Sequence, residues 1–240
     1  MDFNSQDKDI RLIGQGGNTM VYLLSRNYNG FDSAIIKAPK GFVNMRVADI
    51  FRNYNLLKLH GVKTTQFLEV CTMDGNKAII TENLHQNDYT YLDANAHLRT
   101  YQVELLEKIE VKYGIVHNDY KEPEEERKFS GKKFKEITNL ERFVNDYLNE
   151  LRNISNNRIF LSYDSYFFKV KNAKITDIDY VIADWDDIEF YAKPDLFEIN
   201  KEQFKTALLQ FVMKYVEEEK RKEYEEIIYK NIRIIKGLYE

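Results

Sequence analysis

The sequence predicts an α+β protein whose first third is rich in strands and whose remainder is mostly helical. Short apolar runs broken by Gly, Asn and Asp fill the chain up to Thr81, around one segment of helical period. Beyond Leu98, apolar stripes recur at three- and four-residue spacing. With 43% hydrophobic residues and 3 Pro among 240, the chain is neither collagen-like nor wholly disordered, and it can bury a sizeable core. The 35 basic and 39 acidic side chains leave a net charge of −4, which argues against a mainly electrostatic nucleic-acid partner. One cysteine, Cys71, excludes an internal disulfide framework and a CxxC-type zinc site. The polar start Met1-Asp2-Phe3-Asn4-Ser5 does not resemble a signal peptide, and no run reaches the roughly 18 apolar residues of a membrane span. A cytoplasmic location is the expectation.

Arg11-Leu12-Ile13 and Met20 to Leu24 flank a Gly cluster and predict two strands joined by a turn. Ser33 to Lys37 is a third strand. From Met45 to His60 the period changes: Val47, Ile50, Phe51, Tyr54 and Leu57 predict a helix stopped at Gly61. Gln66 to Thr72 and Lys77 to Thr81 predict a hairpin turning at Asp74-Gly75-Asn76. Three helical stripes follow, one through Leu98, Tyr101, Leu105 and Ile109, one from Leu140 to Ile154, and one from Phe204 to Tyr215. Between the last two lie short strands at Tyr166 to Val170, Lys174 to Asp179 and Tyr180 to Ala183. Glu122 to Lys135, dense in charge with Pro123 and Gly131, predicts a surface loop, and Glu217 to Glu226 a solvent-facing segment.

One constellation carries chemistry. Gly14-Gln15-Gly16-Gly17-Asn18-Thr19-Met20-Val21 places small residues in a strand-turn-strand, where backbone N–H groups can approach phosphate oxygens. Ala34-Ile35-Ile36-Lys37 ends an apolar strand in a cation able to neutralise phosphate charge. The plain alternatives are a Gly-rich hairpin and a solvated lysine. The order Gly-rich turn, strand lysine, helix and closing strand is similar to that of the protein-kinase-like superfamily. Gly14, Gly16 and Val21 match its glycine loop, Gly17 lies within that loop, and Thr19 replaces the third glycine. Lys37 matches the ATP-phosphate lysine. Thr81, Glu82 and Leu84 look like the hinge that holds adenine through backbone groups. The resemblance implies a two-lobed fold with a β-rich N-lobe over residues 1–84, of about five strands and one helix. A small, mostly helical C-lobe would cover 85–240, with a charged insertion near 122–138. Where the family carries a helix glutamate to pair with the lysine, this chain has Asn53. Asp49, one turn earlier, is a candidate substitute.

The second half admits two registers. In one, Tyr113 to Lys121 is the catalytic loop, and His117-Asn118-Asp119 resembles the corresponding triplet of choline-kinase-like enzymes. Asp119 would orient the proton of the attacking hydroxyl, Lys121 would steady the phosphoryl group, and Glu124 would replace the metal-binding asparagine. In the other, the Leu140 helix directly precedes the catalytic region. Counting back from Asp177 then puts Ile159 at the base and Asp164 at the metal ligand, the pattern of a pseudokinase. For Mg²⁺ two motifs compete. Lys174-Ile175-Thr176-Asp177-Ile178-Asp179 looks like the kinase metal motif, with Asp177 and Asp179 as ligands. Ala183-Asp184-Trp185-Asp186 resembles that of aminoglycoside-phosphotransferase-like kinases, with Asp184 as ligand. The segment Leu56 to Leu84 also resembles lipopolysaccharide-kinase-like proteins.

The resemblance therefore implies an ATP- and Mg²⁺-dependent phosphotransferase acting on a hydroxyl acceptor: a small molecule, glycan or protein. The alternatives are a catalytically impaired nucleotide- or partner-binding pseudokinase and a scaffold using the C-terminal stripe Ile227, Ile228, Asn231, Ile234, Ile235 and Leu238. His60, His85 and His97 show no metal-ligand spacing, and Cys71 reads as a small core residue.

Overall fold

The computed structural model describes residues 1–15, 19–40, 45–84, 89–93, 133–171, 174–185, 188–190 and 194–233. It is an α+β protein. A six-stranded sheet and one helix come from the first part of the chain. The strands are β1 (Asp2–Phe3), β2 (Ile10–Gln15), β3 (Thr19–Leu24), β4 (Ala34–Pro39), β5 (Phe67–Met73) and β6 (Asn76–Glu82), ordered β1-β5-β6-β4-β3-β2. All neighbours are antiparallel except β1 and β5. The two-residue β1 is the strand that apolar runs do not announce. It adds to the edge of β5, where Thr72 also donates a hydrogen bond to the Asp2 carboxylate. The predicted hairpin joins β5 to β6 through Asp74 (φ 49°) and Gly75 (φ 80°), the left-handed pair that a two-residue hairpin turn requires. One sheet face closes over a core of Phe3, Tyr22, Leu24, Ile36, Met73 and Ile80.

Helix α1 (Val47–Leu59) occupies the predicted segment and stops at His60, with Gly61 (φ 71°) taking the left-handed position after it. It buries Ile50, Asn53 and Leu57 toward the second part of the chain. There, α2 (Leu140–Asn156), α3 (Leu196–Tyr215) and α4 (Glu218–Asn231) pack on one another. The stripe read in the sequence, Leu140, Phe143, Val144, Tyr147, Leu151 and Ile154, is the buried face of α2. Helix α3 runs through the middle of this packing and buries Phe204, Leu208, Phe211 and Tyr215. In α4, Tyr224 and Ile228 are buried and Ile227 packs on the same core, so this part of the C-terminal stripe is packed inward. Residues 234–240 lie outside the described residues, as do the stripe of Leu98 to Ile109 and the charged loop up to Lys132.

A small sheet ties the helices to the rest. Strand β7 (Tyr89–Asp93) pairs with β10 (Tyr166–Lys171), which pairs with β12 (Ile178–Ile182). Two-stranded ladders join β8 (Glu136–Ile137) to β11 (Ile175–Thr176), and β9 (Ile159–Phe160) to β13 (Glu189–Phe190). The expected strands at Lys174 to Asp179 and Tyr180 to Ala183 divide differently. The break falls at Asp177, because β11 turns aside to pair with β8 and β12 alone continues the hairpin with β10.

Candidate functional site

Sheet register brings three of the sequence-predicted residues into line. Gly14 pairs with Val21, and Val21 pairs with Lys37, so the glycine strand, its partner and the lysine strand lie side by side. Lys37 is half-buried near the end of β4. Its Nζ donates to the Ala183 carbonyl at 2.8 Å and lies 5.8 Å from the centre of the Trp185 ring. Among the described residues no carboxylate forms an ion pair with it. Its partners among the described residues, a carbonyl oxygen and an aromatic face, carry no opposing formal charge.

The Ala183-Asp184-Trp185 segment follows β12 and is fixed from several sides. The Ala183 N–H donates to the Ser165 carbonyl at 3.2 Å, which ties the chain next to Asp164 to the chain next to Asp184. Trp185 is 2% exposed, and its indole N–H donates to Thr64 Oγ1 at 2.6 Å. Asn53 of α1 donates from Nδ2 to the carbonyls of Trp185 at 2.8 Å and Ile188 at 3.2 Å. Asn53 therefore does not pair with Lys37. Nor does Asp49 substitute for the family's glutamate: it pairs with Arg52 at 3.4 Å. Phe67, Tyr54 and Trp185 form a contiguous ring cluster that ends at Phe51, 48% exposed.

The two metal motifs part company. Asp184 adjoins the Lys37 partner, whereas Asp177 accepts from Thr138 Oγ1 and Asp179 pairs with Lys63 Nζ at 2.8 Å. Asp177 and Asp179 line another cleft, of about 320 Å³, with Lys63, Asn139, Arg142 and Tyr180. On the Ser165 side of that bond, Asp164 Oδ1 is buried with no donor among the described residues. A buried acceptor without a donor suits a cation, and Mg²⁺ commonly takes one or two carboxylates and completes its shell with phosphate oxygens and water. Asp164 and Asp184 are therefore the carboxylates near Lys37 that could hold a cation. No three metal-ligating side chains cluster among the described residues.

Residues 159–165 lie directly between α2 and the β10–β12 hairpin, and α3 holds them. The Asn200 amide accepts from the Leu161 N–H at 3.0 Å and donates to the Ile159 carbonyl at 2.8 Å, and Gln203 accepts from the Tyr163 N–H. Ile159 is fully buried, an apolar residue where the second register counts the base. His117, Asp119, Lys121 and Glu124 of the first register lie outside the described residues, as do Gly16 and Gly17. At the end of β6, Thr81 is buried, and Glu82 spends its carboxylate on the Gln66 N–H at 2.8 Å. Leu84 is half-buried beyond it. Thr64 is the site residue that no motif signals, since a lone threonine outside a pattern carries no sequence cue.

No protein-family model matches the chain, and no curated protein sequence matches it. Among the described residues, no helix is long and apolar enough to cross a membrane.

Proposed function

We propose that the protein is a nucleotide-binding module of protein-kinase-like architecture, catalytically impaired in the manner of a pseudokinase. The supporting observation is the meeting of Lys37 with the Ala183-Asp184-Trp185 segment, at 2.8 Å from ammonium to carbonyl, between residues 146 positions apart in sequence. In this reading Lys37 binds the α/β phosphates of ATP, Asp184 and Asp164 would hold Mg²⁺, which would neutralise phosphate charge, and the Gly14 and Val21 strands border the phosphate site. Thr81 to Leu84 faces adenine. Buried Ile159 stands five residues before Asp164, the spacing of base and metal ligand in the resembled family, and it supports impairment, since an isoleucine offers no proton acceptor for a hydroxyl nucleophile.

Calorimetric titration with Mg·ATP tests the reading. Binding to the wild type and a loss of about tenfold or more in Lys37→Met are expected, the scale of one charge-assisted hydrogen bond. Equal binding by both proteins rejects it. The set Lys37, Asp164 and Asp184 also favours a second reading, an active phosphotransferase to a hydroxyl acceptor with Asp119 as its base. ATP turnover that is lost in Asp119→Asn selects the enzyme, and absence of turnover in the wild type with nucleotide binding intact selects the impaired module.

A further inference from the structure

We infer that Asn53 and Thr64 are positioning residues that hold Ala183-Asp184-Trp185 beside Lys37, and Ile188 beyond it, before any ligand arrives. The inference rests on the nucleotide-binding reading and explains its least family-like residue. Asn53 is 3% exposed and uses both hydrogens of one amide nitrogen, on Trp185 O and Ile188 O. A carboxylate at this position has no hydrogen to donate and would repel both carbonyls, so glutamate cannot do this work. The opposite amide orientation would set Oδ1 against the same two oxygens, which fixes the assignment.

Thr64 completes the hold from the loop after α1. Its Oγ1 donates to the Ile182 carbonyl at 2.8 Å and accepts the indole N–H of Trp185. The Thr65 N–H donates to the Ile182 carbonyl at 3.0 Å, and the Ile182 N–H to Lys63 O at 2.9 Å. The metal-side segment is thus pinned at Ile182, Trp185 and Ile188 by one helix and its following loop. In most of the resembled family one helix carboxylate positions the lysine. Here the helix positions the acidic segment instead, and Lys37 is left to an incoming anion. The site is pre-assembled and needs no swing of α1 to form.

Hydrogen–deuterium exchange on the ligand-free full chain tests the hold, and nucleotide affinity with and without Mg²⁺ tests what the hold is for. Asn53→Leu keeps the volume and removes the donors. Exchange across residues 183–190 should rise about tenfold in this variant while that of α2 stays unchanged. The gain in ADP affinity on adding Mg²⁺ should fall about tenfold, a loss of about 1.4 kcal/mol, with metal-free ADP affinity altered less than about twofold. Should Asn53→Leu not fold, Thr64→Val, which removes only the hydroxyl, should show the same pattern at about threefold. Unchanged exchange in residues 183–190 overturns the inference, and so does a parallel loss of both affinities, the mark of general structural damage. A wild type that binds no nucleotide overturns the reading beneath it and the positioning role with it, whatever the exchange shows.

Discussion

At the scale of single residues, what separates the candidate site from ordinary surface is the company each side chain keeps. Lys37 has a carbonyl and an indole face, and Asp164 has a buried oxygen that no described donor satisfies. The proposed ligand, carrying phosphate and a divalent cation, would give each of them an oppositely charged partner. Cys71 shows the contrary case. Burial, opposed by the nearby N-terminal ammonium, pushes its thiol up to about 12, so little thiolate exists at neutral pH. Labelling by a thiol reagent at pH 7.5 should follow global unfolding and slow with any stabilising ligand; rapid labelling of the native protein would contradict the buried placement. Lys37, the glycine strand and the acidic motifs stand out in the sequence because each has a fixed pattern. Which acidic motif lies near Lys37 does not. Both motifs read alike along the chain, and only the pairing of β11 with β8 takes Asp177 away to Thr138.

At the scale of elements, periodicity carried most of the fold. The faces of α1, α2 and α3 were written as stripes, and the β5–β6 turn as Asp74-Gly75. Strands β1, β8, β9 and β13 were not, for a two-residue strand has no period to read, whereas β11 falls within the expected strand at Lys174 to Asp179. A second turn, Asn29 (φ 50°) and Gly30 (φ 88°) between the bridged Tyr28 and Phe31, has an Asn-Gly signal that the apolar runs overshadow. Gly75→Ala should cost about 1 kcal/mol or more, because alanine resists positive φ, and the thermal midpoint should fall accordingly; an unchanged midpoint would contradict the turn. Helix α2 sets a pH limit. Tyr147 on α2 meets Tyr166 and Tyr180 from β10 and β12 edge to face, the Tyr147 and Tyr166 hydroxyls lie 2.8 Å apart, and the Tyr180 hydroxyl donates to Glu150. Burial raises all three phenols above the usual 10.0. The unfolded chain then releases protons first. Stability is full below about pH 10 and declines above it, by up to about 1.4 kcal/mol per pH unit for each tyrosine. Urea midpoints measured from pH 8 to pH 11 should stay level and then drop, and a level profile to pH 11 would contradict the buried cluster.

Across the whole molecule, the proposed ligand would bind where the two parts of the chain meet. The sheet contributes Lys37, α1 contributes Asn53, and the segment after β12 contributes Asp184. Their convergence depends on the shared core that Ile50, Leu57 and Ile79 build with Phe143, Phe168 and Trp185, so the site is a property of the assembled protein. Weakening that core away from the site should lower stability without altering specificity. Leu151→Ala in the middle of α2 should cost about 2–5 kcal/mol and leave ligand affinity of the folded fraction unchanged. A crystal structure with Mg²⁺ and a non-hydrolysable ATP analogue tests the central claim most directly. The account predicts Lys37 Nζ within hydrogen-bonding distance of an α- or β-phosphate oxygen, having left the Ala183 carbonyl, with Asp184 on the metal that bridges the same phosphates. A nucleotide bound at any other surface, or with Lys37 still on Ala183 and its phosphates elsewhere, would contradict it.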